Sequence, residues 1–261
     1  MSDKVEYNKP SVSKKPSYQA IRNYKVVKYN SLIQKSNFEL SAQQQKIMMY
    51  LISKIKSDDD VFMTADFEII EFCEVCGIHF ESGKNYKDIQ DAIGSMAEKI
   101  LWVRLDNGDK TILRWIEKPY INETTGKMRV KLDDLLKPFL LHVKNNYTQF
   151  ELLNTLAMKS KYSIRLYEIL RSYEYKKSFT FSVDELKELL NAANYKLFKD
   201  FRVNVLNLAM NEINELSDLN VSYELLKEGR AYSSVQFAIS LKLDLDERFA
   251  AWKNIQDVIG K

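Results

Sequence analysis

Asn194-Tyr195-Lys196-Leu197-Phe198-Lys199-Asp200-Phe201-Arg202-Val203-Asn204-Val205-Leu206, running on to Asn211-Glu212-Ile213-Asn214, is the stretch on which the reading of this chain turns. Apolar residues recur at Phe198, Phe201, Val205, Leu208 and Ile213, which is helical spacing. At about 100° per residue, that stripe leaves Lys196, Lys199, Val203, Asn207 and Asn214 on the far side, with Arg202 at its shoulder. A helix that buries one face and offers Lys, Arg and Asn on the other is suited to a DNA major groove. A merely solvated amphipathic helix has the same pattern, so the neighbouring segments decide between the two.

The 261 residues make one large domain or two ordinary ones, and a hydrophobic share of 45% allows a real core. Net charge is only +3, so the total does not announce nucleic acid. The distribution is uneven, however. Residues 1–35 hold seven Lys and one Arg against Asp3 and Glu6. Residues 158–177 hold Lys159, Lys161, Arg165, Arg171, Lys176 and Lys177 against Glu168 and Glu174. Local patches of this kind matter more for phosphate contacts than the sum. No signal-peptide pattern opens the chain and no apolar run approaches the roughly 18 residues of a membrane helix. With two cysteines, that suggests a reducing, cytoplasmic setting.

Residues 1–22 are polar and basic, with Pro10 and Pro16 and no period, and are expected to be disordered. They are read either as an inert tail or as a basic arm on DNA backbone. Ser41 is set to cap a helix over 42–55. Thr64 is set to cap another over 65–76, ended by Gly77, and 86–100 forms a third, with Ile89, Ile93, Met96 and Ile100 inward. A hairpin follows over 101–105 and 110–116 with Asn107-Gly108 at its turn, then more strand at 120–121 and 128–132. Beyond 133–138 the pattern resumes with a helix over 162–173, an extended Phe179-Thr180-Phe181, and a helix over 183–193 opened by Ser182 and Glu185 as a capping box. The opening stretch supplies a helix over 198–216. A second hairpin spans 221–226 and 234–243, and a last helix 247–259.

The two halves share one plan. Residues 62–77 lie over 179–194, and Tyr86-Lys87-Asp88-Ile89 lies over Phe198-Lys199-Asp200-Phe201, so the first copy carries five extra residues around 80–85. Two copies are too few for a solenoid and imply a duplicated domain. Three helices with a β-hairpin wing make the winged-helix form of the helix-turn-helix, in which the second helix of the pair enters the major groove. The expected fold is therefore α+β: two tandem winged-helix domains related by internal duplication. The boundaries read as a disordered basic tail at 1–22, domains at 23–147 and 148–245, and a C-terminal helix at 246–261.

Several blocks then carry a family resemblance: Leu40-Ser41-Ala42-Gln43-Gln44-Gln45-Lys46; Leu136-Lys137-Pro138-Phe139-Leu140-Leu141; Lys159-Ser160-Lys161-Tyr162-Ser163-Ile164-Arg165-Leu166-Tyr167-Glu168-Ile169-Leu170; Phe198-Lys199-Asp200-Phe201-Arg202 with Asn211-Glu212-Ile213-Asn214; and Gly229-Arg230. Over about 24–243 the chain resembles the replication initiator proteins of iteron-containing, theta-replicating bacterial plasmids. The resemblance implies a C-terminal winged helix docked on repeated origin DNA and an N-terminal one adding DNA contacts and a dimer interface. It implies monomers that open the origin and recruit the host helicase and host initiator, and dimers that repress the initiator's own gene. By the same resemblance the groove-reading positions fall on Lys196, Lys199, Arg202, Val203 and Asn207. Lys161, Arg165 and the wing's Arg230 would hold phosphates, and Lys84 and Lys87 would supply the N-terminal domain's contacts. The family often has more basic residues after Asp-Phe-Arg, where this chain has Val203-Asn204. Fewer charges there imply lower affinity and a flatter salt dependence.

Reactive chemistry finds little support. Cys73-x-x-Cys76 with His79 falls short of the four ligands of a structural zinc, and both thiols lie on an apolar helix stripe. A nicking initiator needs a Tyr nucleophile beside a metal-binding His pair, whereas His79 and His142 are far apart in sequence. Gly126-Lys127 is no phosphate loop, because Ile121 stands where Gly is required. No triad or carboxylate pair stands out. His142 reads as a turn residue, and Trp102 and Trp115 as core or dimer-face residues. The expectation is a non-enzymatic DNA-binding protein with no cofactor or metal. A transcriptional repressor of the same fold, and a protein-interaction module using the Trp-bearing hairpin, are the alternatives.

Overall fold

A computed structural model describes residues 17–56, 59–62, 64–78, 84–105 and 107–260. Each half contains a helix, a short strand, a helix pair and a hairpin. In the second half these are helix Lys161–Tyr173, strand Ser178–Ser182, helix Val183–Leu189, a helix over 198–216, and the hairpin Leu219–Glu228 with Ala231–Leu241. The hairpin's second strand pairs back antiparallel onto Ser178–Ser182, placing Val235 opposite Phe181. In the first half the helices are Ala42–Ser53, Ile69–Cys76 and Lys84–Met96.

Local sequence explains the helix starts. Ser41 Oγ accepts from the Gln44 N–H at 3.2 Å and Gln44 Oε1 accepts from the Ser41 N–H at 3.0 Å, a reciprocal capping box. Ser182 Oγ accepts from the Glu185 N–H at 3.1 Å, which is one half of the expected box. The helix expected over 65–76 is divided. Ala65–Glu68 is a strand paired with Lys127–Val130, and the helix begins only at Ile69. The alternating Ala-Asp-Phe-Glu buries Phe67 alone and suits a sheet edge.

That division corrects the register of the repeat. Ile69 corresponds to Val183 as the first helical residue, and Gly77 (φ 64°) to Asn191 (φ 48°) as the left-handed residue beyond the helix. Both pairs sit 114 residues apart, while the next helices remain in the 86-to-198 register. The first copy therefore carries two extra residues, not five. Sequence alone misleads here because a slip of three or four residues returns a helical stripe nearly to itself.

The first half also has a hairpin that the second lacks. Ile100–Arg104 and Lys110–Arg114 form the expected hairpin but join Ser36–Phe38 in a separate sheet. The strand that pairs as a wing does, back onto the strand before the helix pair, is Lys127–Val130 with its partner Tyr120–Asn122. Ile100, expected inward on a helix, is an exposed strand residue.

The first of the expected boundaries moves. The expected tail ends earlier, because Tyr18–Arg22 is a helix capped by Ser17, with Ile21 buried; residues 1–16 lie outside those described. Arg22 donates to the carbonyls of Glu74 at 2.7 Å, Val75 at 2.9 Å and Ile259 at 3.0 Å, joining the ends of two helices. The division at 147/148 falls at the edge of a strand, Tyr147–Glu151, which pairs with Lys25–Tyr29 of the first half. The terminal helix Leu245–Ile259 runs back to the first half, where Ile259 lies against Gly77.

The halves are joined through the helix Lys161–Tyr173, which is buried from Ser163 to Leu170. The Lys28 ammonium pairs with the Glu168 carboxylate at 2.5 Å, both almost wholly buried. The Arg165 guanidinium donates to the carbonyls of Ile33 at 2.7 Å, Ser36 at 2.9 Å and Leu189 at 3.3 Å, and lies 4.6 Å from the Phe38 ring centre. Burial pushes its pKa down to about 10 and lowers that of Lys28, with Glu168 pulling each back up. Charges so placed hold a fixed geometry, because losing either partner strands the other without water.

Candidate DNA interface

The helix over 198–216 is the centre of the site, and it is not α-helical throughout. Phe198–Phe201 and Leu208–Leu216 are α-helix, while Arg202–Asn207 is a wider π-helical turn. Phe201, Val205, Leu206, Ala209 and Ile213 are buried. A spacing of four repeated from 201 to 213 would drift round a regular helix, and the wide turn returns it to the core. The same turn corrects two assignments of the helical wheel. Leu208, expected inside, is 43% exposed. Asn214, expected outside, is half-buried and brackets Val221: its Nδ2 donates to the Val221 carbonyl and its Oδ1 accepts from the Val221 N–H. Asn204 closes part of the widened turn by donating Nδ2 to the Asp200 carbonyl at 2.9 Å.

The five expected groove-reading residues, Lys196, Lys199, Arg202, Val203 and Asn207, are all exposed. The hairpin stands beside them. Gly229 at its tip has φ 61°, a left-handed turn that suits glycine. Arg230 and Lys227 are exposed there, and the Lys227 ammonium lies 5.0 Å from the Tyr232 ring. Tyr232 in turn packs on Phe198 at 5.0 Å between ring centres, which ties the hairpin to the start of the helix. At the other end of the helix, Lys242 donates to the Ser217 carbonyl at 2.8 Å and to that of Asn214, closing free carbonyls with a cation.

Other expected contacts fare differently. Lys161 is half-exposed with its ammonium 5.1 Å from the Tyr162 ring, so a cation remains near the surface. Arg165 does not: it is buried and its guanidinium donates to protein carbonyls. The phosphate contact expected of it is not available, because Arg165 sits inside the joint between the halves. In the first half, Lys87 is exposed on the helix Lys84–Met96, whose Ile89, Ile93 and Met96 face inward. Lys84 begins that helix, and its side chain lies outside what the structure describes.

The blocks behind the resemblance turn out to be largely structural. The Glu212 carboxylate accepts from the N–H groups of Lys159 at 3.0 Å and Ser160 at 3.1 Å, just ahead of the helix Lys161–Tyr173. The Tyr167 hydroxyl donates to Asp218 Oδ1 at 2.8 Å, and Glu168 holds Lys28. Sequence reading missed Tyr223, whose hydroxyl donates to Asn207 Oδ1 at 2.7 Å and accepts from Arg202 Nε at 3.3 Å. The available signal was strand alternation: Val221, Tyr223 and Leu225 share the inner face of Leu219–Glu228.

Cys73 and Cys76 are buried free thiols, with pKa values that burial pushes up to about 11 and about 12. They are thiols, not thiolates, at neutral pH. His79 lies outside the described residues, among which no group of three or more His, Cys, Asp or Glu could hold a metal ion. His142 accepts a left-handed turn (φ 51°) and places Nε2 3.2 Å from Asp60 Oδ1. Trp115 is buried, while Trp102 is partly exposed with the Lys110 ammonium 4.9 Å away. No helix of the described residues is long and apolar enough to cross a membrane.

Comparison with known proteins agrees with this architecture. The family described as "Initiator Replication protein, WH1" matches residues 25–171, and "Initiator Rep protein, WH2" matches residues 182–239. A curated Escherichia coli relative named "PI protein" is 31% identical over 148 residues, covering 49% of this chain and 48% of its own length. The chain thus matches about half the length of that relative. A solved structure titled "Crystal structure of Pi initiator protein in complex with iteron DNA" superposes with a TM-score of 0.67 at 22% identity, covering 85% of this chain and 99% of that one. With two winged-helix units in the matched order and more than half of its length within one family model, the chain belongs to the family of initiator replication proteins.

Proposed function

We propose that this protein binds iterons, the repeated sequences of a plasmid origin, as double-stranded DNA and starts replication there. One observation carries the reading. Lys199, Arg202 and Asn207 form an exposed cationic, amide-bearing ridge on the second helix of a helix-turn-helix pair, with Lys196 exposed just ahead of that helix and Arg230 on the adjoining wing. The ridge would enter the major groove while the wing and Lys161 meet phosphate. The Pi initiator, which shares the fold, was solved with iteron DNA, and that supports the same ligand here. No reactive centre is required: the protein works by binding, in the cytoplasm, opening the origin and bringing in the host initiator and replicative helicase.

Dimerisation belongs to the same reading, with the monomer active at the origin and the dimer repressing. It is supported by the outer face of the first half's extra hairpin, where Ile100, Trp102 and Ile112 are each about two-fifths exposed on a sheet whose last strand, Lys110–Arg114, is an edge. The test has two parts. Gel shifts with directly repeated sites beside an AT-rich segment should show binding that unrelated duplex does not compete away. Deleting the gene should then cause plasmid loss. Binding without plasmid loss would mark a repressor instead.

A further inference from the structure

Arg202 and Asn207 stand at the two ends of the widened turn, five residues apart. Round an ordinary α-helix such residues would lie about 140° from one another. The wider turn, which closes on the fifth residue rather than the fourth, brings both within reach of a single hydroxyl. That hydroxyl belongs to Tyr223, half-buried at the base of the wing and packed towards Phe237 with ring centres 6.1 Å apart.

The directions of the two hydrogen bonds are not interchangeable. A guanidinium can only donate, so the phenol oxygen accepts from Arg202 Nε at 3.3 Å. The phenol O–H is then free to point at Asn207, where it donates at 2.7 Å. An amide nitrogen cannot accept, so Asn207 must turn its carbonyl to Tyr223 and its NH2 away from it. A free Asn reads adenine with both ends of its amide, whereas here one of the carbonyl's two lone pairs is taken by the phenol and the NH2 is turned away from it. The terminal nitrogens of Arg202 remain as a donating fork.

We propose that Tyr223 is a positioning residue that sets which base edges the ridge reads, holding Asn207 as a donor beside the Arg202 fork. The two donors then take the paired acceptors of guanine, N7 and O6, in the major groove in preference to the mixed acceptor and donor edge of adenine. This rests on the DNA-binding reading above and refines it.

The experiment selects bound sequences from a pool of duplexes randomised over roughly two helical turns, using full-length wild type and the variants Asn207→Ala, Tyr223→Phe and Asn207→Asp. Asn207→Ala marks the base pair that Asn207 faces, by loss of preference there. At that pair the wild type should favour G·C over A·T by roughly tenfold, the size of a good base contact. Tyr223→Phe should abolish that preference while leaving the salt dependence of binding intact, since no phosphate contact is lost. Asn207→Asp, which offers only acceptors, should lose the preference for G·C and serves if Tyr223→Phe folds poorly. The proposal is overturned if the wild type prefers A·T at that pair, if Asn207→Ala changes no position, if Tyr223→Phe selects like wild type, or if Asn207→Asp keeps the G·C preference. A wild type that selects no sequence at all would instead sink the DNA-binding reading.

Discussion

The two winged-helix units use one plan to different ends. In the second, the helix after the turn carries a π-helical segment, and the hairpin behind it is long, Leu219–Glu228 with Ala231–Leu241. In the first, the corresponding helix Lys84–Met96 is regular and the equivalent wing strands are short, Tyr120–Asn122 and Lys127–Val130. The first unit spends its added chain on a third sheet and an apolar outer face. Ile89 and Phe201 occupy matching buried positions, and Lys87 and Lys199 matching exposed ones. Duplication thus kept the buried frame, which packing constrains, and let the surfaces diverge, which it does not.

The largest test of this contrast concerns the joint that both units share. Arg165→Ala should destabilise the fold by roughly 3–5 kcal/mol, because Glu168 and three carbonyls lose a buried donor. Urea unfolding reads this directly; a stable Arg165→Ala protein with only a shallower salt slope would restore the phosphate role. Next comes Gly77→Ala. Its backbone is left-handed, and a Cβ there would lie 2.2 Å from Ile259 Cα, so roughly 1–3 kcal/mol should be lost. Removing residues 245–261 should relieve the clash and shrink that cost in a double-mutant comparison, leaving the strain of the left-handed turn.

Smaller effects separate the two surfaces. Arg202→Ala should cost about 1–3 kcal/mol of discrimination among repeat variants with little change in stability. Competition binding with mutated repeats measures it, and equal discrimination before and after would remove Arg202 from the reading surface. Lys161→Ala should weaken all duplexes alike and lower the salt slope by about one. Lys87→Ala, on the first unit, should change repeat discrimination least of all. If it instead relaxed specificity as much as Arg202→Ala, the two units would share the reading and the contrast between them would fail.

Much of this was legible before any coordinates. The spacing of Phe201, Val205 and Ile213, the caps at Ser41 and Ser182, and the Asn107-Gly108 turn each depend on a few neighbouring residues. Such interactions are local, so pattern reveals them. What stayed hidden is long-range. Arg165 looks like Lys161 in sequence; only the arrival of Ile33, Ser36 and Leu189 around it makes one a joint and the other a surface cation. The strand at Ala65–Glu68 depends on Lys127–Val130, some sixty residues away.

By itself, the sequence determined the duplicated plan, the helix that bears the ridge and the basic and amide side chains upon it, because amphipathic period and capping act within a few turns of chain. Only the tertiary structure decided the widened turn, the exchange of Leu208 for Asn214 at the core, and the hydroxyl of Tyr223 between Arg202 and Asn207. Those features arise where the core behind one helix and the wing beside it must both be satisfied, and no stretch of chain contains that demand alone.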